Sequence, residues 1–333
     1  MRVLLIAALI LTLSCNRPAT EPHRPAVRIA VGGQTQLVYL PLTLAQQLGH
    51  YNREGLDVSI MDLSGGAKAL EALLSGSVDV VCGYFDHVIQ MHAEEKKLKA
   101  FVLMQRFPGL ALAVSPAVKR SIDRVEDLRG ATVGISAPGS STDFLLRHLL
   151  HRAGVEAKEV SSAGIGMGAS AVAAMQFGKV DAAIMADPAI TILARRMGSL
   201  RILGDTRTQE GAREVYGVDH YPSAVLYARE EWLLQNAPAA ASLVRAMLRT
   251  LEWLHSHSPE EIARAMPETF RGDDVSLYAE AIRSALPMYE TSGRMPSDGP
   301  EIVHKLLGLS LEKVRNAKIS YASTYTNEWV PLR

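Results

Sequence analysis

Short apolar runs alternate with segments of helical spacing along the first two thirds of the chain. Residues 27–31 and 78–82 are apolar at nearly every position, as strands buried on both faces are. Loops rich in glycine and hydroxyl residues follow such runs and lead into helical segments. This alternation predicts an α/β fold with mainly parallel sheets. From residue 230 to about 314 the spacing is that of helices alone.

One segment of the chain occurs twice. Residues 66–79 read GAKALEALLSGSVD and residues 168–181 read GASAVAAMQFGKVD, sharing the Gly-Ala start, two later alanines and the closing Gly-x-Val-Asp. A spacing of roughly a hundred residues is too long for a solenoid unit. The repeat therefore predicts two related lobes, each with a glycine-opened helix, a tight turn and a buried strand. Asp79 and Asp181 are expected to fix those turns rather than to act as acid and base.

The pattern breaks at Ser115 and again at Tyr221. These breaks predict that the chain leaves lobe one and later returns to it. We expect lobe one to comprise residues 26–115 and 222–333, and lobe two residues 116–221. Two crossings between lobes make a hinge, and a ligand cleft is expected beside it.

The N-terminus has the pattern of an export signal. The apolar run over residues 3–13 is too short to span a bilayer, which takes about 20 residues in a helix. Ser14 before Cys15 resembles the lipobox of bacterial lipoproteins, in which the cysteine is lipidated. We expect a signal peptide over residues 1–15 and a flexible tether over residues 16–25. An ordinary export signal cut elsewhere is the alternative.

Composition changes this picture little. The 333 residues are 48% hydrophobic and 21% charged, enough for two folded cores. Since the formal net charge is zero, no large field attracts nucleic acid. Separately, we expect a monomer. Of the two cysteines, lipidation consumes Cys15, and Cys82 lies in an apolar run as a buried thiol. No disulfide is expected.

Several of these features together resemble a known family. They are the export signal and cysteine, Gly-x-Val-Asp in each lobe, PGSST over residues 138–142 and DPA over residues 187–189. In order and spacing they resemble, over residues 26–320, the substrate-binding proteins of ABC importers. The most similar group is the nitrate/sulfonate/taurine type, which also includes binders of thiamine-precursor pyrimidines.

The resemblance implies a type II-like, two-lobed periplasmic-binding-protein fold with its ligand cleft between the lobes. It implies a non-catalytic protein without cofactor or metal, anchored by lipid at the periplasmic or outer face of a membrane. Such a protein captures a small organic anion or zwitterion, such as a sulfonate or an aromatic carboxylate. It delivers the ligand to an ABC permease and its ATPase subunit.

Candidate ligand-binding residues lie where strands end, because open α/β sheets bind ligands beyond the carboxyl ends of their strands. Several of these loops lead into helices, whose free N–H groups favour anions. The candidates at these ends are Gln34, Gln36, Gly65, Gly66, Tyr84, Phe85, Ser140, Ser141, Thr142, Gly166, Met167 and Asp187. Gln34 and Gln36 could donate to ligand oxygens or be ordinary polar loop residues. Tyr221, at the return crossing, is a further candidate that could close over the ligand or pack the hinge.

Some candidates have a second interpretation. Ser141 is also a good cap for the helix that follows it. Tyr84 and Phe85 could stack on an aromatic ligand or pack into the core of lobe one. Asp187 could cap its own helix or face the cleft, where a carboxylate would repel nitrate and suit a ligand with an amine or ring N–H.

Other chemistry has weaker support. Gly164-x-Gly166-x-x-Ala169 imitates a dinucleotide fingerprint, but an exported chain has little access to NAD. His148 and His151 share a helix face without an acidic or cysteine partner spaced for a metal, so we expect both to be solvated.

An enzyme on the same two-lobe fold is the main alternative. Thiamine-pyrimidine synthases of the wider family depend on a cysteine-rich motif, which Cys82 alone does not meet. Chorismate dehydratase-like enzymes are cytosolic, which the export signal argues against. A binding protein for a pyrimidine precursor of thiamine, and a binding protein that serves a sensor, also stay open.

Overall fold

The computed structural model describes residues 24–332, which form two five-stranded sheets covered by helices. The expected signal peptide, Cys15 and all but the end of the tether lie outside the described residues. The strands are β1 (Ala26–Val31), β2 (Asp57–Asp62), β3 (Val80–Tyr84), β4 (Leu98–Leu103), β5 (Leu110–Val114), β6 (Thr132–Ile135), β7 (Ser161–Gly164), β8 (Ala182–Ala186), β9 (Ile202–Asp205) and β10 (Ala224–Arg229).

Helices account for most of the remaining chain. They are α1 (Leu40–Gln47), α2 (His50–Arg53), α3 (Gly66–Leu74), α4 (Asp86–Ala93), α5 (Ser141–Arg152), α6 (Ala169–Gln176), α7 (Ala189–Met197), α8 (Gln209–Tyr216), α9 (Glu230–Gln235), α10 (Ala237–Ser256), α11 (Pro259–Ala265), α12 (Glu268–Arg271), α13 (Val275–Ala285), α14 (Gly299–Ser310) and α15 (Glu312–Arg315). Among these described helices, none is long and apolar enough to cross a membrane.

The two sheets have the same arrangement. Lobe one is built on the order β2-β1-β3-β10-β4, and lobe two on the order β7-β6-β8-β5-β9. In each sheet the first three strands are parallel and the fourth is antiparallel to both of its neighbours. The fourth strand of each sheet is the one that follows a crossing of the chain. The repeat in the sequence thus corresponds to a repeat of architecture.

The position of β5 corrects the expected lobe boundary. We expected residues 110–114 in lobe one, but β5 pairs with β8 and β9 in the second sheet. The first crossing therefore lies between β4 and β5, before Ser115. An apolar strand looks the same in either lobe, and only its backbone pairing partner decides the sheet to which it belongs.

The two crossings run side by side and are hydrogen-bonded to each other. The amide of Thr206 donates to the carbonyl of Leu110 at 2.8 Å, and the amide of Tyr221 donates to the carbonyl of Arg106 at 2.8 Å. The Ser223 hydroxyl donates to the carbonyl of Phe107 at 2.6 Å. These bonds make one ribbon of the two connections between the lobes.

The repeated aspartates have matching structural roles. Asp79 accepts a hydrogen bond from the backbone N–H of Arg28 on β1 at 2.9 Å, and Asp181 accepts one from Thr132 on β6 at 2.8 Å. Burial alone would raise the pKa of Asp79, but its hydrogen bonds from Arg28 outweigh burial and lower that pKa. Each carboxylate thus ties the turn before a strand to the neighbouring parallel strand, as the repeat predicted.

Candidate functional site

Two serine hydroxyls at the start of α5 bind the opposite lobe. Ser140 Oγ accepts a hydrogen bond from the backbone N–H of Ala67 in the first turn of α3, at 3.1 Å. Ser141 Oγ donates to Asp86 Oδ1 at 2.9 Å. The capping interpretation of Ser141 is wrong, because Ser140 holds the N-cap position of α5 and the Ser141 hydroxyl donates to Asp86 in the other lobe. The PGSST segment therefore joins the two lobes.

Asp86 is a carboxylate buried at this interface. It is 3% exposed and lies at the start of α4, directly after the loop that follows β3. Burial raises the pKa of Asp86, although His87 and the hydrogen bond from Ser141 act in the opposite direction. A buried carboxylate is costly unless donors surround it. The site therefore favours a partner that brings N–H groups or a positive charge to Asp86.

His87 contacts both lobes beside Asp86. Its ring is fully buried, with Nε2 3.3 Å from the carbonyl oxygen of Gly139 and an edge-on contact to Phe144 at a centroid distance of 6.0 Å. Its Nδ1 atom is buried without a hydrogen-bond partner among the described residues. A Cβ atom on Gly66 would lie 2.8 Å from His87 Cε1, so glycine is needed where α3 begins.

Two small cavities lie along the interface, and Tyr84, Leu110 and Ser141 line both. Each has a volume of about 10 Å³, room for about one water molecule. Sites for small organic ligands typically measure a few hundred Å³ or more. The lobes are therefore closed in this arrangement, and they must separate before such a ligand can enter.

The lining of the two cavities comes from both lobes. The hinge-side cavity is lined by Tyr84, Asp86, Pro108, Leu110, Ser141, Phe144, Leu145, His148, Tyr216, Tyr221, Leu306, Leu307 and Ser310. The loop-side cavity is lined by Gly32, Gln36, Tyr39, Gly66, Tyr84, Leu110, Ser136, Ser140, Ser141, Thr142 and Met167.

Aromatic side chains form much of the hinge-side wall. Tyr216 stacks on Tyr221 with a centroid distance of 4.6 Å and an interplanar angle of 19°. The ring of His148 lies 4.7 Å from that of Tyr216, at an interplanar angle of 47°. Burial raises the pKa of both tyrosines, so their phenol groups stay protonated and can donate hydrogen bonds. Stacked rings of this kind suit a planar ligand.

His148 corrects an expectation. It is 4% exposed rather than solvated, and its Nε2 atom lies 2.9 Å from the carbonyl oxygen of Val215. Burial lowers the pKa of His148, so the ring is neutral at pH 7. His151, one turn further along α5, is exposed as expected. Within residues 24–332, no group of three or more His, Cys, Asp or Glu side chains is placed to hold a metal ion.

The structure brings many of the candidate residues to the cavities. Those that line one cavity or both are Gln36, Gly66, Tyr84, Ser140, Ser141, Thr142, Met167 and Tyr221. Those that line neither are Gln34, Gly65, Phe85, Gly166 and Asp187. Gly65 still lies against lobe two, because a Cβ atom on it would come within 3.3 Å of Ser140 Oγ.

Three of the remaining candidates have partners within their own lobe. Phe85 is fully buried and packs in the core of lobe one, whereas Tyr84 before it reaches the cleft. The Gln34 amide donates to Thr43 Oγ1 at 2.9 Å. Gly166 has a φ of +66° and lies against Ser170 of its own loop.

Asp187 is engaged by groups of lobe two. Its Oδ1 atom accepts from the backbone N–H of Thr191 in the first turn of α7 at 3.0 Å, and its Oδ2 atom pairs with Arg207 at 3.0 Å. The structure thus agrees with the capping interpretation of this carboxylate. Its backbone carbonyl accepts from the N–H of Leu37 across the interface at 2.7 Å.

Sequence reasoning missed Asp86, His87 and the contribution of Tyr216. The strand-end rule that selected Tyr84 and Phe85 applies equally to the two residues after them. The same rule could therefore have selected Asp86 and His87 as candidates. Tyr216 ends a helix far from any of the strand ends considered, and only the return crossing brings it to the cleft.

This chain is similar to known proteins in sequence and in fold. A family model described as NMT1/THI5 like matches residues 36–262. A solved structure of a protein from Bordetella bronchiseptica is 36% identical, with a TM-score of 0.85, covering 91% of this chain and 95% of that one. The formylaminopyrimidine-binding protein of Halalkalibacterium halodurans is 24% identical over 78% of this chain and 76% of its own length. The periplasmic nitrate-binding protein of Synechocystis, 15% identical, has a TM-score of 0.70 over 93% of this chain and 88% of its own, which shows a shared fold.

Proposed function

The chain belongs to the NMT1/THI5-like family and has the periplasmic binding protein fold, and from that premise we propose that it is an extracytoplasmic substrate-binding protein of an ABC importer. It captures a small organic molecule between its lobes and presents it to a membrane permease and its ATPase. The observation that carries the proposal is the polar interface at Ser140, Ser141 and Asp86, where both lobes supply the lining of shared cavities.

The cavity lining supports a zwitterion or an N–H-bearing heterocycle better than a simple anion. Among the described residues that line the two cavities there is no lysine or arginine. Asp86 instead offers a buried carboxylate, and Tyr216 and Tyr221 offer stacked rings beside it. A planar ring would pack against the tyrosines while its amine or ring N–H donates to Asp86. The formylaminopyrimidine-binding relative supports a pyrimidine of this kind.

A thermal-shift screen would test both the function and the ligand class. The compounds are formylaminopyrimidine and related aminopyrimidines, taurine, alkylsulfonates, aromatic carboxylates and nitrate. An aminopyrimidine is expected to raise the melting temperature most, because its N–H groups and planar ring match Asp86 and the tyrosines. Any ligand at a hundredfold excess over its dissociation constant stabilises the folded state by about 2.7 kcal/mol. If every class leaves the melting temperature unchanged, the proposed function is wrong.

Small-angle scattering with the best compound would test lobe closure separately. Ligand can favour the closed arrangement only through higher affinity for it. We expect ligand to reduce the radius of gyration. Tight binding without any compaction would contradict closure but leave ligand capture in place.

We also propose that lipid on Cys15 anchors the protein to a membrane, with residues 16–25 as a tether. The support is the apolar run before Ser14 and Cys15 in the sequence. Cells grown with radiolabelled palmitate should label the protein, and Cys15→Ala should abolish the label. Equal labelling of the variant would contradict lipidation at this position.

The enzyme alternative has no specific support in the described residues. Cys82, the cysteine in this part of the chain, is fully buried in β3, and burial raises the pKa of its thiol. A buried, protonated thiol is a poor nucleophile and a poor metal ligand. We therefore propose a receptor without catalytic residues.

A further inference from the structure

A second groove lies between the lobes, outside the two central cavities. It has a volume of about 300 Å³, about 30 times that of either central cavity. Lobe two contributes α6 and α7, and lobe one contributes Thr35 and the segment from α12 to α13. The second copy of the repeated segment begins in this groove, since Gly168 and Ala169 line it.

The charge of the groove is positive. Arg196 on α7 and Arg271 at the end of α12 line it, and none of its described lining residues is acidic. One guanidinium N–H of Arg196 donates to Gln176 Oε1 at 3.2 Å, and one of Arg271 donates to the carbonyl of Gly272 at 2.9 Å. The Nε atom of Arg271 is buried without a hydrogen-bond partner in residues 24–332. An unpaired buried donor is costly, so an acceptor from outside the chain would stabilise it.

The groove also has an apolar part. Phe270 and Tyr278 of lobe one and Val172 and Ile192 of lobe two line it. The N-terminus of α6 adds partial positive charge, and its first turn has no side-chain cap from the described residues. A ligand with a flat apolar body and one anionic group matches both parts at once.

We propose that this groove binds a small amphipathic anion, an aromatic ring that carries a phosphate or sulfonate group. The anionic group lies at Arg196 and Arg271, and the ring lies between Phe270 and Ile192. This site is distinct from the central cleft, whose described lining contains no lysine or arginine. The two sites thus favour different ligand groups. Asp86 favours N–H groups, and the arginines favour an anion.

Calorimetric titration of the whole chain with 2-naphthyl phosphate tests the proposal. The wild type should bind it with a dissociation constant below about 1 mM, and the affinity should fall as added salt screens the charge of the arginines. Uncharged 2-naphthol should bind at least about tenfold more weakly. Arg196→Gln and Arg271→Gln should each reduce the affinity about tenfold or more, because each removes a charge-assisted contact.

The control is Arg213→Gln, which makes the same charge change elsewhere in lobe two, where Arg213 pairs with Asp219. It should leave the affinity within about twofold. Arg196 is exposed, so its variant keeps the test valid if Arg271→Gln fails to fold. No binding by the wild type, equal binding by Arg196→Gln, or equally tight binding of 2-naphthol would each overturn the proposal.

Discussion

Replacing Asp86 with asparagine is expected to weaken ligand binding by about 30-fold to several thousand-fold. Loss of one partner of a buried, hydrogen-bonded charge pair costs about 2–5 kcal/mol, and each 1.4 kcal/mol is tenfold in affinity. The amide introduced by Asp86→Asn would keep an acceptor for Ser141 but lose the negative charge that strengthens a hydrogen bond from an amine or ring N–H. Titration of the best aminopyrimidine from the screen would measure the change.

The stability of this variant should move in the opposite direction. Because burial raises the pKa of Asp86, the charged carboxylate destabilises the ligand-free folded state at neutral pH. The melting temperature of Asp86→Asn without ligand should therefore equal or exceed that of the wild type. A variant that is both unstable and weak in binding would show a structural role only.

Two further measurements locate the effect at Asp86. Asp187→Asn is the matched control, because its carboxylate is engaged by Thr191 and Arg207. With the fold intact, it should change the affinity by less than about threefold. Affinity in the wild type should also fall as the pH is lowered through the raised pKa of Asp86, since protonation removes the charge. If Asp187→Asn is the variant that loses binding, the assignment of the ligand contact to Asp86 is wrong.

Replacing Gly32 with alanine is expected to destabilise the protein by roughly 2–3 kcal/mol or more. A Cβ atom on Gly32 would lie 2.3 Å from the backbone carbon of Gly65 and 2.3 Å from the backbone nitrogen of Gly66. No side chain can move to relieve these contacts, so the start of α3 must shift. The melting temperature should fall by about 4–12 °C.

Gly164→Ala is the control for this change. A Cβ atom on Gly164 would have its nearest neighbour, Pro138 Cδ, at 3.8 Å, an ordinary contact. That variant should melt within about 2 °C of the wild type. If Gly32→Ala is equally stable, the approach of β1 to α3 is looser than the structure shows.

The helix and strand formed by each copy of the repeated segment could be predicted well from the sequence. Both copies of the segment form a helix followed by a buried strand, and Asp79 and Asp181 make the same bond to a neighbouring strand. These features depend on local spacing and on a pattern present twice. Local patterns are what a single sequence reveals most directly.

The remaining features depend on contacts between distant segments. The apolar run of β5 does not indicate which sheet the strand joins, because its pairing partners β8 and β9 follow it by about 70 residues or more. His148 was expected to be solvated because nothing in α5 itself reveals that the return crossing covers that face. Asp86 and Ser141 are 55 residues apart, so their hydrogen bond across the lobes has no local signal.

The ribbon formed by the two crossings has a mechanical consequence. Because the amides of Thr206 and Tyr221 bond to the carbonyls of Leu110 and Arg106, neither connection can slide along the other without breaking hydrogen bonds. We expect the lobes to separate instead by rotation about an axis near the ribbon, because such a rotation can keep these bonds. A pair of spectroscopic labels, one on each lobe, should then report opening and closing as a change in a single distance.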